Sequence, residues 1–393
     1  MPDLVSEAQL LFEYTRTLRR DFHAHPELGF QEFRTAGIVA RELNALGLET
    51  HTGIAGPGLV ALLEGSKPGP VILVRTDMDA LPIVEKTGAA YASQNTGVMH
   101  ACGHDGHTAI LLTVARMLHS HRQEFAGPVK FMFQPAEEGL GGAKKMLESG
   151  VLENPKVDVA LGLHLWNERP VGWFGVANGP AMAGAEIFKI KVIGKGGHGA
   201  APHLSVDPVL AAAQIINALQ GIVARNVAPL QTAVISVCTI HGGETFNVIP
   251  PVVELTGTIR TFEPEVRARV LKRFEETVRG VAGALECQVE LDLQLLAPAT
   301  INHRETAVVV QTAALRLFPS ADIDDSNFIT MGSEDFSAVL SRVPGCFFFV
   351  GSANQKKGLD ASHHHPRFDF DEVVLPHAAA LMTAAVLDLL SRH

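Results

Sequence analysis

The sequence is short of basic charge: 32 Lys and Arg stand against 42 Asp and Glu, a formal net charge of −10. That argues against a nucleic-acid binder working through overall positive charge. Cysteine is scarce too. Cys102, Cys238, Cys287 and Cys346 are widely spaced over 393 residues, which is not the pattern of a disulfide framework. Long apolar runs are missing, since no stretch approaches the ~18 consecutive apolar residues of a spanning helix. No membrane association is expected. The amino terminus carries acids early and has no basic stretch leading into an apolar run, so no secretory signal is read and the expected location is the cytoplasm. Internal repeats and low-complexity segments are also absent.

What is present is enough apolar material for a large core. With 47% hydrophobic and 19% charged residues, a chain beyond roughly 250–300 residues is expected to split into domains. Helical periodicity covers Leu4 to Arg20 and Glu32 to Leu46, the latter stopped by Gly47. Compact apolar runs at Leu59 to Leu63, Val71 to Arg75, Val129 to Phe133 and Val157 to His164 then read as strands, with a helix at Thr108 to His119. Such alternation predicts an α/β domain with a mixed, largely parallel sheet and flanking helices. From about residue 185 the order becomes strand Ile187 to Ile193, helix Pro208 to Val223, strands Val234 to Ile240 and Val252 to Thr261, helix Glu265 to Val281, strand Gln288 to Leu293. This β-α-β-β-α-β series predicts a ferredoxin-like α+β unit. The α/β style then resumes, with helices Thr306 to Phe318 and Asp335 to Val343, strand Cys346 to Val350 and helix His377 to Leu390. A catalytic domain of residues 1–184 and 297–393 is therefore expected to carry an inserted domain of residues 185–296.

Five stretches concentrate Asp, Glu, His and Cys: TDMDALP at 76–82, MHACGHDGH at 99–107, FQPAEEG at 133–139, LGLHLW at 161–166 and ASHHHP at 361–366. The first, third and fourth follow apolar runs, and an open parallel sheet binds ligands at the carboxyl ends of its strands. Cys102, His104, Glu138, His164 and His364 form a mixed sulfur, nitrogen and oxygen donor set suited to divalent transition metals. Five donors exceed what one tetrahedral ion requires. Two ions sharing a ligand, ~3.5–4 Å apart, would activate a water and polarise a carbonyl oxygen. Of the adjacent acids Glu137 and Glu138, one can ligate while the other moves the proton. A second reading makes Cys102 a nucleophile with His104 or His107 as its base. The surplus of acids and histidines speaks against it.

RTDMDALP, MHACGHDGH, FQPAEEG, GKGGHGAAPH, FNVIP, GTIRTF, MGSEDF and HHPRFDFDE, in this order, resemble the M20 metallopeptidase family. More narrowly, they resemble its branch of N-acyl-amino-acid amidohydrolases, hippurate hydrolases and auxin-conjugate hydrolases. The resemblance implies a dinuclear metallopeptidase-like fold whose metal ligands are Cys102, His104, Glu138, His164 and His364, with Glu137 as general base. It implies two divalent ions per subunit, drawn from zinc, manganese, nickel or cobalt. The wider family has His-x-Asp where this chain has Asp77-Met78-Asp79, so Asp79, which in that family orients the absent imidazole, is retained as a supporting member of the catalytic set. In similar proteins the inserted domain is a lid that mediates dimerisation, implying a homodimer or homotetramer, and supplies a histidine, here His198, to the tetrahedral oxyanion. Asn247 and Arg260 match the groups that hold the substrate's carboxylate, for which an Arg fork is suited. The implied activity is metal-dependent hydrolysis of N-acyl amino acids to a carboxylic acid and an amino acid. A dipeptidase or carboxypeptidase on the same scaffold is the alternative, and a binding protein without turnover would be expected to have lost Glu137.

Overall fold

The computed structural model describes residues 3–325 and 328–391. The chain separates into two compact units, Met1–Ala181 with Ile301–Ile329 and Asp335–His393, and Met182–Thr300 with Thr330–Glu334.

The first unit opens with α1 (Leu4–Leu10) and α2 (Phe12–Ala24). The single helix expected over Leu4 to Arg20 is thus two. Asp3 caps the first by accepting the Ser6 N–H at 3.1 Å, and the chain steps at Leu11 before the second begins. There follow α3 (Phe33–Ala45), β1 (Glu49–Ile54), β2 (Gly58–Leu63), β3 (Ile72–Asp77), α4 (His104–Ser120), β4 (Val129–Gln134), α5 (Gly142–Glu148) and β5 (Val159–Pro170). Together with Gly345–Ala353, Trp173–Gly175 and Asp322–Asp324 these strands form one sheet, in the order β1, β2, β4, β3, β5 and then the three late strands as named.

The middle of the sheet, from β4 through β3 and β5 to Gly345–Ala353, is parallel. Both β3 and β4 are buried along their whole length, which is why they read as unbroken apolar runs rather than alternating ones. Ile72, Val74, Phe131, Leu161 and Phe348 belong to a core shared with α4 and the final helix Val374–Leu390. β1 was not legible because it is an exposed, polar edge strand, and charge at an edge such as Glu49 and His51 discourages further pairing.

Two expectations change. The helix read over Asp335 to Val343 contracts to Ser337–Leu340, since the Asp335 N–H bonds to a side chain and Pro344 follows. His164 lies inside β5 rather than after it. It still reaches the sheet edge: Arg75 pairs with Gly162, so the end of β3 at Asp77 comes level with His164. Among the described residues no helix is long and apolar enough to cross a membrane.

The second unit is a four-stranded antiparallel sheet of Ala233–His241, Val252–Thr261, Gly184–Ile193 and Gln288–Ala297, in that spatial order. Helices Pro208–Asn226 and Pro264–Ala284 each begin on proline, which suits a first turn whose N–H has no partner. They bury Leu219, Ile222, Phe274 and Val278 against Phe188, Ile190 and Ile259. Along Val252–Thr261 odd-numbered residues are buried and even-numbered ones half-exposed, the period-2 signature of a sheet covered on one face.

Candidate active site

α4 starts directly at His104, behind Gly103 at φ 90°. His104 and His107 lie three residues apart in its first turn and so share a face. His104 Nδ1 donates to the Asp79 carbonyl oxygen at 2.9 Å, which leaves Nε2 as the available lone pair. His107 is different. Its Nδ1 donates to Asp77 Oδ1 at 2.7 Å and its Nε2 accepts the Leu165 N–H at 2.9 Å. With both nitrogens engaged His107 can serve neither as a metal ligand nor as a base for Cys102. It braces β5 against β3 instead.

Asp77 also accepts Arg75 Nη1 at 2.8 Å. Burial would raise its carboxyl, but His104, Arg75 and His107 outweigh that and hold it well below the usual range. Burial likewise presses on His104, and Asp77 and Asp79 overcome it, lifting the imidazole well above its ordinary value, so that a cation at Nε2 would have to displace a proton held there by these carboxylates. Asp79 joins a histidine to an acid. Its Oδ1 lies 3.3 Å from His104 Nδ1, while its Oδ2 accepts the Glu138 N–H at 3.0 Å.

The donor atoms gather in overlapping triads. Those of Cys102, His104 and His164 lie within 4.8 Å of one another, and so do those of Cys102, Glu138 and His364, and of His104, Glu137 and Glu138. Cys102 therefore belongs to two groups. Its Sγ is 3.4 Å from His164 Nε2, and His364 Nε2 is 3.1 Å from Glu138 Oε1. His164 Nδ1 donates to the Leu165 carbonyl at 2.6 Å, again presenting Nε2, and burial keeps this imidazole neutral by pushing it well below its ordinary value.

The three consecutive histidines divide sharply. His363 donates from Nε2 to the Leu165 carbonyl at 3.0 Å and packs on Trp166, and burial lowers it to about 4. His365 Nδ1 accepts the Arg367 N–H. Only His364 enters the donor group, from a left-handed backbone at φ 63° anchored by its N–H on the Ala101 carbonyl at 2.7 Å. A non-glycine residue there costs about 1 kcal/mol, accepted for the direction it gives the imidazole.

Burial and the Glu138 carboxylate push the Cys102 thiol well above its usual range. A nucleophilic thiol needs the opposite. With His107 engaged as well, the thiol-hydrolase reading loses both its thiolate and one of its bases. A cation held by the Cys102 sulfur with two imidazoles, or with one imidazole and a carboxylate, would stabilise the same thiolate, and the donor set fits divalent metal in that way.

The acid pair sits on the tight loop between β4 and α5. Ala136 has φ 57°, and its N–H donates to Glu32 Oε1 at 2.8 Å. A Cβ on Gly142 would lie 1.7 Å from the Pro135 carbonyl oxygen, so only glycine closes this loop. Glu137 Oε1 accepts the Asp335 N–H at 3.3 Å. Glu32 is buried, and that burial, with Asp79 nearby, raises its carboxyl to about 8 from an ordinary 4.5. The folded state thus favours neutral Glu32, whose contribution to stability is full below about 4.5 and is lost as pH rises through about 8. In metal-free protein the Tm should fall between about pH 4.5 and about pH 8, and Glu32→Gln should flatten that fall. Parallel slopes for both proteins would assign the loss to another group.

The remaining candidates lie in the second unit. His198 pairs with Val248 in a two-stranded ribbon, and the Asn247 carbonyl accepts the Gly199 N–H at 2.8 Å. His198 and Asn247 are therefore neighbours. Arg260 stands on the half-exposed sheet face, its Nε donating to Thr258 Oγ1 at 3.1 Å, and burial lowers its pKa. Sequence reasoning assigned no role to Arg75, Glu32 or Asp335. Their signal, a charge beside an apolar run, says that a partner exists but not which one.

The profile of Peptidase family M20/M25/M40 matches residues 73–388. Thermostable carboxypeptidase 1 of Saccharolobus solfataricus is 40% identical, the match covering 95% of this chain and 94% of that protein. N-acetyl-L-cysteine deacetylase of Bacillus subtilis is 39% identical over 95% of this chain and 87% of its own length. Among solved structures, the Bacillus subtilis YXEP protein, described as a dinuclear metal binding peptidase from the M20 family, superposes with a TM-score of 0.85. It is 35% identical, covering 98% of this chain and 99% of that one.

Proposed function

The chain belongs to peptidase family M20/M25/M40 and is a hydrolase of amide bonds, and from that premise we propose that it cleaves N-acyl amino acids, hippurate-like substrates among them, into a carboxylic acid and an amino acid. The observation that carries this reading is the membership of Cys102 in two donor triads beside the Glu137–Glu138 pair. Cys102, His104 and His164 would hold one divalent ion, and Cys102, Glu138 and His364 the other. Zinc, manganese, nickel and cobalt all suit such donors. When bound, such a pair supplies an acidified water and a polarised carbonyl.

The chain's own residues do the rest. Glu137 takes the proton of the attacking water and returns it to the departing amine, which requires a carboxylate next to, but not within, the ligand set. Asp79 orients His104 and fixes the Glu138 backbone. Asn247 and Arg260 hold the substrate's free carboxylate, and His198 donates to the oxyanion. These three roles rest on the motifs that carry the residues, as does association into a homodimer or homotetramer.

A carboxypeptidase reading stands beside this one because a relative at 40% identity bears that name. N-benzoylglycine, a series of N-acetyl amino acids and a series of dipeptides, each assayed before and after chelation with metal analysis of the same samples, separate the two. The N-acyl compounds should show kcat/KM at least about tenfold above the dipeptides, a difference of about 1.4 kcal/mol in transition-state binding. Dominant dipeptide cleavage would reverse the assignment.

A further inference from the structure

One carboxylate outside the ligand set touches both ends of the loop that carries Glu137 and Glu138. Asp335 Oδ1 accepts Gln134 Nε2 at 2.7 Å, and Gln134 is the last residue of β4 before the loop. Asp335 Oδ2 accepts the Ala143 N–H at 2.9 Å, in the first turn of α5 just after it. The backbone N–H of the same residue donates to Glu137 Oε1 at 3.3 Å. Arg75 Nη2, at 3.2 Å, balances the buried charge, and Arg75 Nε donates to Gln134 Oε1 at 2.9 Å. Since Arg75 Nη1 also holds Asp77, the acid loop and the histidine turn of α4 hang on one guanidinium. Asp335 is 7% exposed, and Arg75 and Gln134 still less.

A mere core ion pair would not need this arrangement. Both carboxylate oxygens are spent on the two loop ends, and the strained Ala136 between them cannot relax while those ends are fixed. We propose that Asp335 is a positioning residue for the hydrolytic reaction: it sets the span of the 135–142 loop with its side chain and aims the Glu137 carboxylate with its backbone N–H. The inference rests on Glu137 being the base. Misplacing a catalytic group by about 1 Å can cost about 100-fold in rate, and that loss belongs in kcat, because Asp335 acts on the base rather than on substrate binding.

D335N tests it. Its amide keeps an oxygen for Gln134 and Arg75 but turns an NH2 toward the Ala143 N–H, so one end of the clamp is broken while the shape is retained. In metal-loaded enzyme kcat should fall about 10- to 100-fold, with KM within about twofold and metal content unchanged. E137Q and the double variant E137Q/D335N complete a cycle. If Asp335 acts by aiming Glu137, the double variant is no slower than E137Q. Multiplicative losses, or a D335N defect that follows metal loss, overturn the proposal. Low turnover in E137Q with wild-type kcat in D335N overturns it alone, whereas wild-type turnover in E137Q overturns the base assignment itself. Should D335N fail to fold, Gln134→Met, which removes the other end of the clamp, must show the same kcat-selective loss.

Discussion

Glu137→Gln should lower kcat by about 10³-fold while leaving metal content and KM near those of the wild type. General acid–base catalysis by a positioned side chain is worth about 10²–10⁴ in rate, and here one carboxylate is asked to act twice, on water and on the leaving amine. The amide is isosteric and still accepts the Asp335 N–H through its oxygen, so the loop has no reason to move. Glu138 sits one residue on but turns to His364, 3.1 Å away, and its backbone is tied to Asp79. On the proposed reading, neighbours in sequence are separated in duty. Glu138→Gln should cost metal, whereas Glu137→Gln should cost only rate. Metal analysis with steady-state kinetics on the two variants reads the distinction directly, and undiminished turnover in Glu137→Gln at normal metal content would remove it from the mechanism.

The second large effect is expected at Cys102. A side chain belonging to two donor triads cannot be removed without weakening both, so Cys102→Ala should lose both ions and at least about 10³-fold in activity, the scale set by losing a principal catalytic group. His364→Ala removes a donor from one triad only. It should retain the ion held by Cys102, His104 and His164. Chelation of the wild type should abolish turnover, and re-addition of metal should restore it. The thiol mechanism predicts activity that survives chelation, against a thiol that burial and Glu138 make hard to ionise.

Most of the candidate donors legible in the sequence share a property: Cys102, His104, Glu138 and His364 each sit in a short stretch rich in others, whereas His164 stands alone in LGLHLW and was read from its place on an apolar run. CGHDGH, AEEG and HHHP declare themselves by local density. That density misleads about membership, however. His107 is as prominent as His104 in the same turn, yet contacts to Asp77 and Leu165 remove it from the chemistry. The HHH run gives one donor, and a left-handed backbone at His364, invisible to composition, selects which. Supporting groups were illegible for a different reason. Arg75 and Asp335 meet across 260 positions, and Glu32 meets Ala136 across 104, whereas periodicity reports only neighbours within a few residues. The fold was easier to read because its central strands are buried on both faces and strand Val252–Thr261 of its second unit alternates strictly, two patterns that burial imposes on every residue of an element. Edge strand β1 escaped because it is mostly exposed.

The His364 anchor also orders events during synthesis. Its N–H bonds to the Ala101 carbonyl from the far end of the chain, so the triad that includes His364 cannot close until nearly the whole polypeptide has left the ribosome. Cys102, His104 and His164 come together from a much earlier stretch. On the proposed reading, a growing chain could therefore assemble the donors for one ion well before those for the other.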